Sequence, residues 1–193
     1  MLSLGQYEKS KDYFDQLLVI NREIRNRAGE GNTLYKLGYV YLRLGQYEKA
    51  KDYFEQLLVV NREIENPFLQ PLTLLNLGAV YNQLTHYEKA KNSYEQLLVI
   101  SRELKNRLFE GGALNGLGNI YLSLSQYEKA KDYFEQSLVI NREIRNRDGE
   151  VLALNNLGNV YFYLGQYEKA KDYYQQSLVI SLEIKSRSGE GLN

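Results

Sequence analysis

The 193-residue sequence contains no cysteine, no tryptophan, a single histidine and two prolines. Without cysteine there is no disulfide framework, no thiolate zinc site and no cysteine nucleophile. A lone His86 excludes a histidine-based metal cluster and most histidine-dependent acid–base arrangements. Excess charge of one sign is missing too: 24 Lys and Arg balance 24 Asp and Glu. A nucleic-acid binder needs a basic surface to displace counterions, so the balance argues against one. No apolar run approaches the roughly 18–20 residues of a membrane span, and the N-terminus lacks the basic-then-apolar layout of a signal peptide. These absences predict a soluble, cytoplasmic protein with no cofactor, no nucleic-acid partner and no membrane partner. One excess stands against them, the 18 tyrosines.

The sequence repeats itself every 40 residues. Residues 46–56 (QYEKAKDYFEQ) recur letter for letter at 126–136, with close versions beginning at Gln6, His86 and Gln166. Residues 154–161 (LNNLGNVY) have counterparts beginning at Leu34, Leu74 and Leu114. A fixed period of this kind indicates stacked supersecondary units, each unable to bury its apolar face alone. Each copy reads as two helices. In the first (A), Leu154, Leu157, Tyr161 and Leu164 recur at spacings of three and four, and Gly165 suits the left-handed position after a helix. Gly5 and Gly45 sit equivalently, while Thr85 and Ser125 depart from this. The second (B) runs from about Tyr167 to Ile184. Residues 146–150 read as a turn, with Asp148 as the expected N-cap. Gly38, Gly78, Gly118 and Gly158 lie mid-helix, where each costs about 0.8–1 kcal/mol relative to Ala. Their recurrence points to close helix approach, with Ala50, Ala90, Ala130 and Ala170 as the expected facing residues.

Leu157-Gly158, Tyr161, Ala170, Tyr174 and the small Ser177 stand at the spacings of the tetratricopeptide repeat signature. The chain resembles that family over essentially its whole length, in the 40-residue variety seen in kinesin light chains and the LGN/Pins adaptors. The resemblance implies an all-α, right-handed α-solenoid of antiparallel helix pairs, with A helices lining a concave groove. The expected organisation is one solenoid over 1–193. It comprises a partial repeat at 1–27 (helix B only), repeats at 28–67, 68–107, 108–147 and 148–187, and the start of a further helix A at 188–193.

Most tyrosines belong to the repeat framework. The exceptions are Tyr35, Tyr39 and Tyr163, on A-helix positions that the resemblance places in the groove, with Phe162 beside the last. Charge is distributed just as unevenly, since windows 31–44, 71–84, 111–124 and 151–164 contain only Lys36 and Arg43. The expected groove is therefore neutral, with Asn76, Asn82, Gln83, Asn115, Asn119, Asn155, Asn156 and Asn159 along it. An amide donates and accepts at once, so a row of them suits the main chain of an extended peptide. Similar rows in kinesin light chain and LGN-type repeats are associated with holding peptide backbones. The alternative is that the amides bond neighbouring A helices.

A carboxylate clamp, the other ligand mode the family suggests, needs cations where this chain has Leu72 and Asn76, Gly112 and Gly116, and Leu152 and Asn156. It is rejected. Gly111, Gly112, Gly116 and Gly118 mimic a phosphate loop, but no strand precedes them and the period puts them in a helix. No nucleophile, base and orienting group come together, so no enzyme is expected. At one junction residues 66–71 read NPFLQP and hold both prolines, Pro67 and Pro71. Met1–Leu4 align with Tyr41–Leu44, and Gly189–Asn193 with Gly149–Ala153, so both ends are expected to lack caps. Homo-oligomers through Leu2, Leu4, Leu178 and Ile184 follow as an expectation. The leading reading is a scaffold binding a protein or peptide partner. The alternatives are a self-assembling structural module and a regulatory piece of a larger bacterial protein.

Overall fold

The computed structural model of the chain describes residues 4–64 and 69–190, with side chains from 7 to 64 and 69 to 186. Leu2 and Pro67 lie outside the described residues, as do the side chain of Leu4 and the segment 191–193. The chain divides into two compact units, Met1–Ser93 and Tyr94–Asn193. The first holds α1 (Leu4–Glu23), α2 (Arg27–Arg43), α3 (Tyr47–Glu63), α4 (Leu69–Gln83) and the start of α5 (Tyr87–Glu103). The second holds the rest of α5, then α6 (Arg107–Ser123), α7 (Tyr127–Glu143), α8 (Arg147–Tyr163) and α9 (Tyr167–Glu190). Among the described residues every regular element is a helix. The even-numbered helices are the A helices.

The A helices α2, α6 and α8 each begin on an asparagine. The Asn26, Asn106 and Asn146 side chains accept from the amides of Gly29, Phe109 and Gly149 at 3.0, 3.3 and 3.2 Å. Asn146, rather than Asp148, therefore caps α8, and the stretch expected to be a turn is the helix's first turn. Asn26 and Asn146 are themselves held, donating to Asn21 Oδ1 and Asn141 Oδ1 at 3.1 and 2.7 Å. A Cβ on Gly29 or Gly149 would collide with those same carbonyl oxygens.

The A-to-B turns close through paired bonds. In the first, Gln46 N donates to Tyr41 O at 2.9 Å and Gly45 N to Leu42 O at 3.1 Å, a Schellman motif that needs one left-handed residue. Gly45 (φ 70°) and Gly165 (φ 72°) supply it, and Thr85 (φ 59°) and Ser125 (φ 58°) are held in the same conformation. The departures seen in sequence are thus departures in residue type, not in backbone.

The mid-helix glycines do mark close approach, but to aromatic rings rather than to the alanines. A Cβ on Gly118 would lie 2.5 Å from Phe134 Cε1, one on Gly38 2.7 Å from Phe54 Cε1, and one on Gly158 2.5 Å from Tyr174 Cε1. Phe54 and Phe134 are wholly buried. In the second unit Ala130, Phe134 and Leu138 of α7 pack with Leu154, Leu157 and Val160 of α8.

Ion pairs fix the start of three A helices, α2, α6 and α8. The buried Glu30 carboxylate receives Arg22 Nε at 2.8 Å and Arg27 Nη1 at 2.5 Å, and Arg27 also pairs with Glu63. The same clasp recurs as Arg102, Arg107, Glu110 and Glu143, and as Arg142, Arg147, Glu150 and Glu183. Burial works against the ionised form of Glu30 and Glu110, yet the arginine bonds outweigh it and hold both carboxyls below their usual range. At the fourth helix Gln70 and Pro67 replace the Glu and the second Arg, and Pro71 is buried in the first turn of α4, where its missing N–H costs little.

Candidate binding surface

Residues spaced by three, four and seven share one side of a helix, and the A helices carry the expected site residues in that register. In the first unit, α2 presents Lys36 and Arg43 exposed and Tyr39 at 39% exposure. Tyr35 is half-buried, its ring 6.4 Å from that of Tyr39 and 6.2 Å from Phe54. Burial pushes the Tyr35 hydroxyl above its usual pKa, while a hydrogen bond with Asn76 pulls the other way. Asn76 also donates to Leu72 O at 2.8 Å. The Lys36 ammonium lies 5.3 Å over the Phe14 ring. Neither Lys36 nor Arg43 forms an ion pair among the described residues. Asn82 is half-buried with its Oδ1 sealed and unpartnered, and Gln83 is exposed.

In the second unit the asparagines sort into two groups. Asn115 and Asn156 are buried, and Asn156 Nδ2 donates to Asn115 Oδ1 at 2.9 Å, tying α8 to α6. These two hold neighbouring A helices together. Asn159 Oδ1 accepts from Tyr174 at 2.7 Å, which leaves its amino group available. Asn119 and Asn155 are half-buried and have no hydrogen-bond partner among the described residues. Phe162 and Tyr163 are 53% and 59% exposed. Tyr163 stacks on Tyr127 with centroids 5.5 Å apart, and Phe162 meets Tyr167 edge-on at 5.5 Å.

Of the expected self-association residues within the described side chains, Leu178 is 58% exposed and Ile184 half-buried. Leu178 lines an open cleft of about 360 Å³ with Phe162, Tyr167, Ala170 and Tyr174.

A second aromatic system, with its own repeat, joins A helices to the B helices that follow them. Tyr41 stacks on Tyr53, Tyr121 on Tyr133 and Tyr161 on Tyr173, at 5.2–5.3 Å. Lys49, Lys129 and Lys169 sit over the first ring of each stack. Ser93 interrupts the series, and Tyr81 instead donates to Glu55 at 2.6 Å. These tyrosines serve packing, as the sequence suggested. Tyr94 and Tyr174 are different, because each places a hydroxyl where the other copies have Phe54 and Phe134. Sequence counting classed both with the framework. The signal that separates them is the internal alignment, which shows a hydroxyl gained at an otherwise apolar position.

Among the described residues no group of His, Asp and Glu is arranged to hold a metal ion, and no helix is long and apolar enough to cross a membrane.

The repeated helix hairpins, the asparagine caps and the glycine–ring contacts define an α-helical repeat protein. Tetratricopeptide repeat sequences match residues 1–63, 69–143 and 109–183, and the chain belongs to the tetratricopeptide repeat family. Its fold is the all-α solenoid of that family. BtubC from P. vanneervenii is 22% identical, with a TM-score of 0.78 over 94% of this chain and 75% of that one. A putative kinesin light chain from Podosopora anserina with nearly identical TPR-like repeats is 17% identical, with a TM-score of 0.76 over 94% and 90%. A Rap protein complexed with competence and sporulation factor is 21% identical, with a TM-score of 0.76 over 93% of this chain and 52% of that one. At such identities the likeness shows the fold. No curated protein matches the chain significantly.

Proposed function

We infer that the chain is a protein-interaction scaffold of the tetratricopeptide repeat type. We propose that it is non-enzymatic and binds an extended peptide segment along its A helices, through amide groups rather than charges. The observation that carries this reading is the pair Asn119 and Asn155. Both amides are half-buried on A-helix surfaces that hold no charge of their own, and neither is spent on a neighbour. A half-buried amide with no partner favours a ligand that offers a donor and an acceptor together, as peptide main chain does. Asn159 contributes its free amino group, and the exposed Gln83 offers a similar donor and acceptor set in the first unit, beside Asn82, whose Oδ1 is sealed. Tyr35, Lys36, Tyr39 and Arg43 flank that set, with Phe162 and Tyr163 beside the other. The Rap neighbour, solved with competence and sporulation factor, supports partner binding by a solenoid of this fold. Asn115 and Asn156 act as positioning residues.

The test uses a random dodecapeptide display library, with the recovered peptides synthesised and their Kd measured by calorimetry. Replacing Asn119 and Asn155 together by Ala weakens binding at least tenfold, the worth of two hydrogen bonds, and leaves the melting temperature unchanged. Equal affinity for both proteins contradicts the reading.

A second reading, association of copies through α9, is favoured by one comparison. Leu138 on α7 is 7% exposed where α8 covers it, whereas its counterpart Leu178 is 58% exposed. If copies associate there, light scattering shows a concentration-dependent mass that Leu178→Lys abolishes; a constant monomer mass removes this reading.

A further inference from the structure

The open cleft of about 360 Å³ on α8 and α9 is walled by Phe162, Tyr167, Ala170, Tyr174 and Leu178, and Lys171 also lines it. Phe162, Tyr167 and Leu178 are each more than half exposed. Large apolar side chains left in water and gathered in one place mark an interaction surface.

The preceding copy shows what such a surface holds. Leu122, Tyr127, Ala130, Phe134 and Leu138 are the counterparts of the five apolar residues, forty positions earlier. All five pack into one cluster with Ala153, Leu154, Leu157 and Val160 of α8. Tyr163 of the same helix lies flat on Tyr127. The cleft is thus the seat of an A helix, repeated on α9 with no helix over it among the described residues. What fits there is a second helix with apolar side chains spaced by three and four.

Charge adds a requirement. Lys11, Lys51 and Lys131 each pair with the glutamate three residues before, Glu8, Glu48 and Glu128. Lys171 is their counterpart and Glu168 stands in the same place, yet Lys171 forms no ion pair among the described residues. On α7, Lys131 lies close enough to Tyr161 of the covering helix for the two to interact electrostatically. Lys11 and Tyr41 of α2 do the same one unit earlier. The position of a docked helix equivalent to Tyr161 therefore faces Lys171, and an acidic residue there meets an unpaired cation.

We propose that the cleft on α8 and α9 seats an amphipathic α-helix of a partner protein, in the place an A helix takes on α7, with an acidic residue against Lys171. The inference does not rest on the extended-peptide reading, since it uses none of the amides that reading needs. It gives the exposed α9 face a partner other than the second copy considered above.

The probes are a fluorescein-labelled peptide with the sequence of residues 147–164, the helix that covers the preceding copy, and its Tyr161→Glu variant. Anisotropy titration with the intact protein is expected to show saturable binding of both, the Tyr161→Glu peptide about threefold tighter. Leu178→Lys in the protein changes an exposed side chain, leaves the melting temperature unaltered and weakens both peptides at least tenfold. Lys171→Glu reverses the preference between the peptides, an effect that packing alone does not produce. The protein lacking the Asn119 and Asn155 amides binds both peptides as the parent does. A loss there places the peptides on the amide surface and overturns the proposal. Absence of saturable binding, or binding indifferent to Leu178→Lys, overturns it, as does an unchanged preference in Lys171→Glu. A concentration-dependent mass that Leu178→Lys abolishes, with no peptide bound, gives the cleft to a second copy and overturns it as well.

Discussion

At the scale of single residues, glycine placement decides how closely the helices approach. Alanine at Gly118 gains about 1 kcal/mol of helix propensity, but its Cβ would lie 2.5 Å from a wholly buried Phe134 ring. The buried ring would have to shift, and overpacking of this kind costs about 1–3 kcal/mol. Gly118→Ala is therefore expected to lower stability in urea unfolding, and Gly118→Ala with Phe134→Leu to recover part of it. A higher midpoint for the single variant contradicts the contact. Thr85 is the converse case, a β-branched residue at φ 59° in a turn whose bonds require the left-handed conformation. Thr85→Gly relieves that strain, and a rise of about 0.5–1 kcal/mol in unfolding free energy is the expected result. The glycine period was legible in the sequence because four costs at one repeat position need a reason. The facing partner was not, since alanine and the ring both lie on the apolar stripe and only side-chain direction separates them.

At the scale of elements, α2, α6 and α8 are each held at the start by a cap and a clasp. Asn146→Ala removes the cap acceptor of α8 and the bond to Asn141, and about 1–2 kcal/mol of stability is the expected loss. The clasp makes stability depend on pH. The folded-state pKa values of Glu30 and Glu110 lie below the usual 4.5, so the stabilisation is complete above that value. It disappears as pH falls through the lower, folded-state value. Thermal melts from pH 6 to pH 3 are expected to drop most steeply below about 4.5. In the double variant Glu30→Gln, Glu110→Gln that drop shrinks, and an undiminished drop contradicts the clasp. The helices were readable from apolar spacing, whereas the caps were misassigned: Asp148 and Asn146 are both good cap residues two positions apart. The deciding bond, from Asn146 to Asn141, reaches back into the preceding helix.

At the scale of the whole chain, the period fixes almost everything about the framework and little about the binding surface. One copy repeated at 40-residue intervals makes the solenoid recognisable from its sequence alone. The residues proposed to bind are ones that differ between copies, and their state depends on what stands opposite them. Asn115 and Asn156 are spent on each other and Asn159 half on Tyr174, while Asn119 and Asn155 have no hydrogen-bond partner among the described residues. A row of asparagines looks uniform in sequence because the alphabet does not show which amide has found a partner. The central claim, that free amides on the A helices hold a peptide main chain, is tested most directly by amide NMR of the intact protein titrated with a library-selected dodecapeptide. The account predicts saturable shifts in the side-chain amide signals of Asn119 and Asn155, with those of Asn115 and Asn156 little changed. Shifts confined to the B helices, with Asn119 and Asn155 unmoved at saturation, would contradict it.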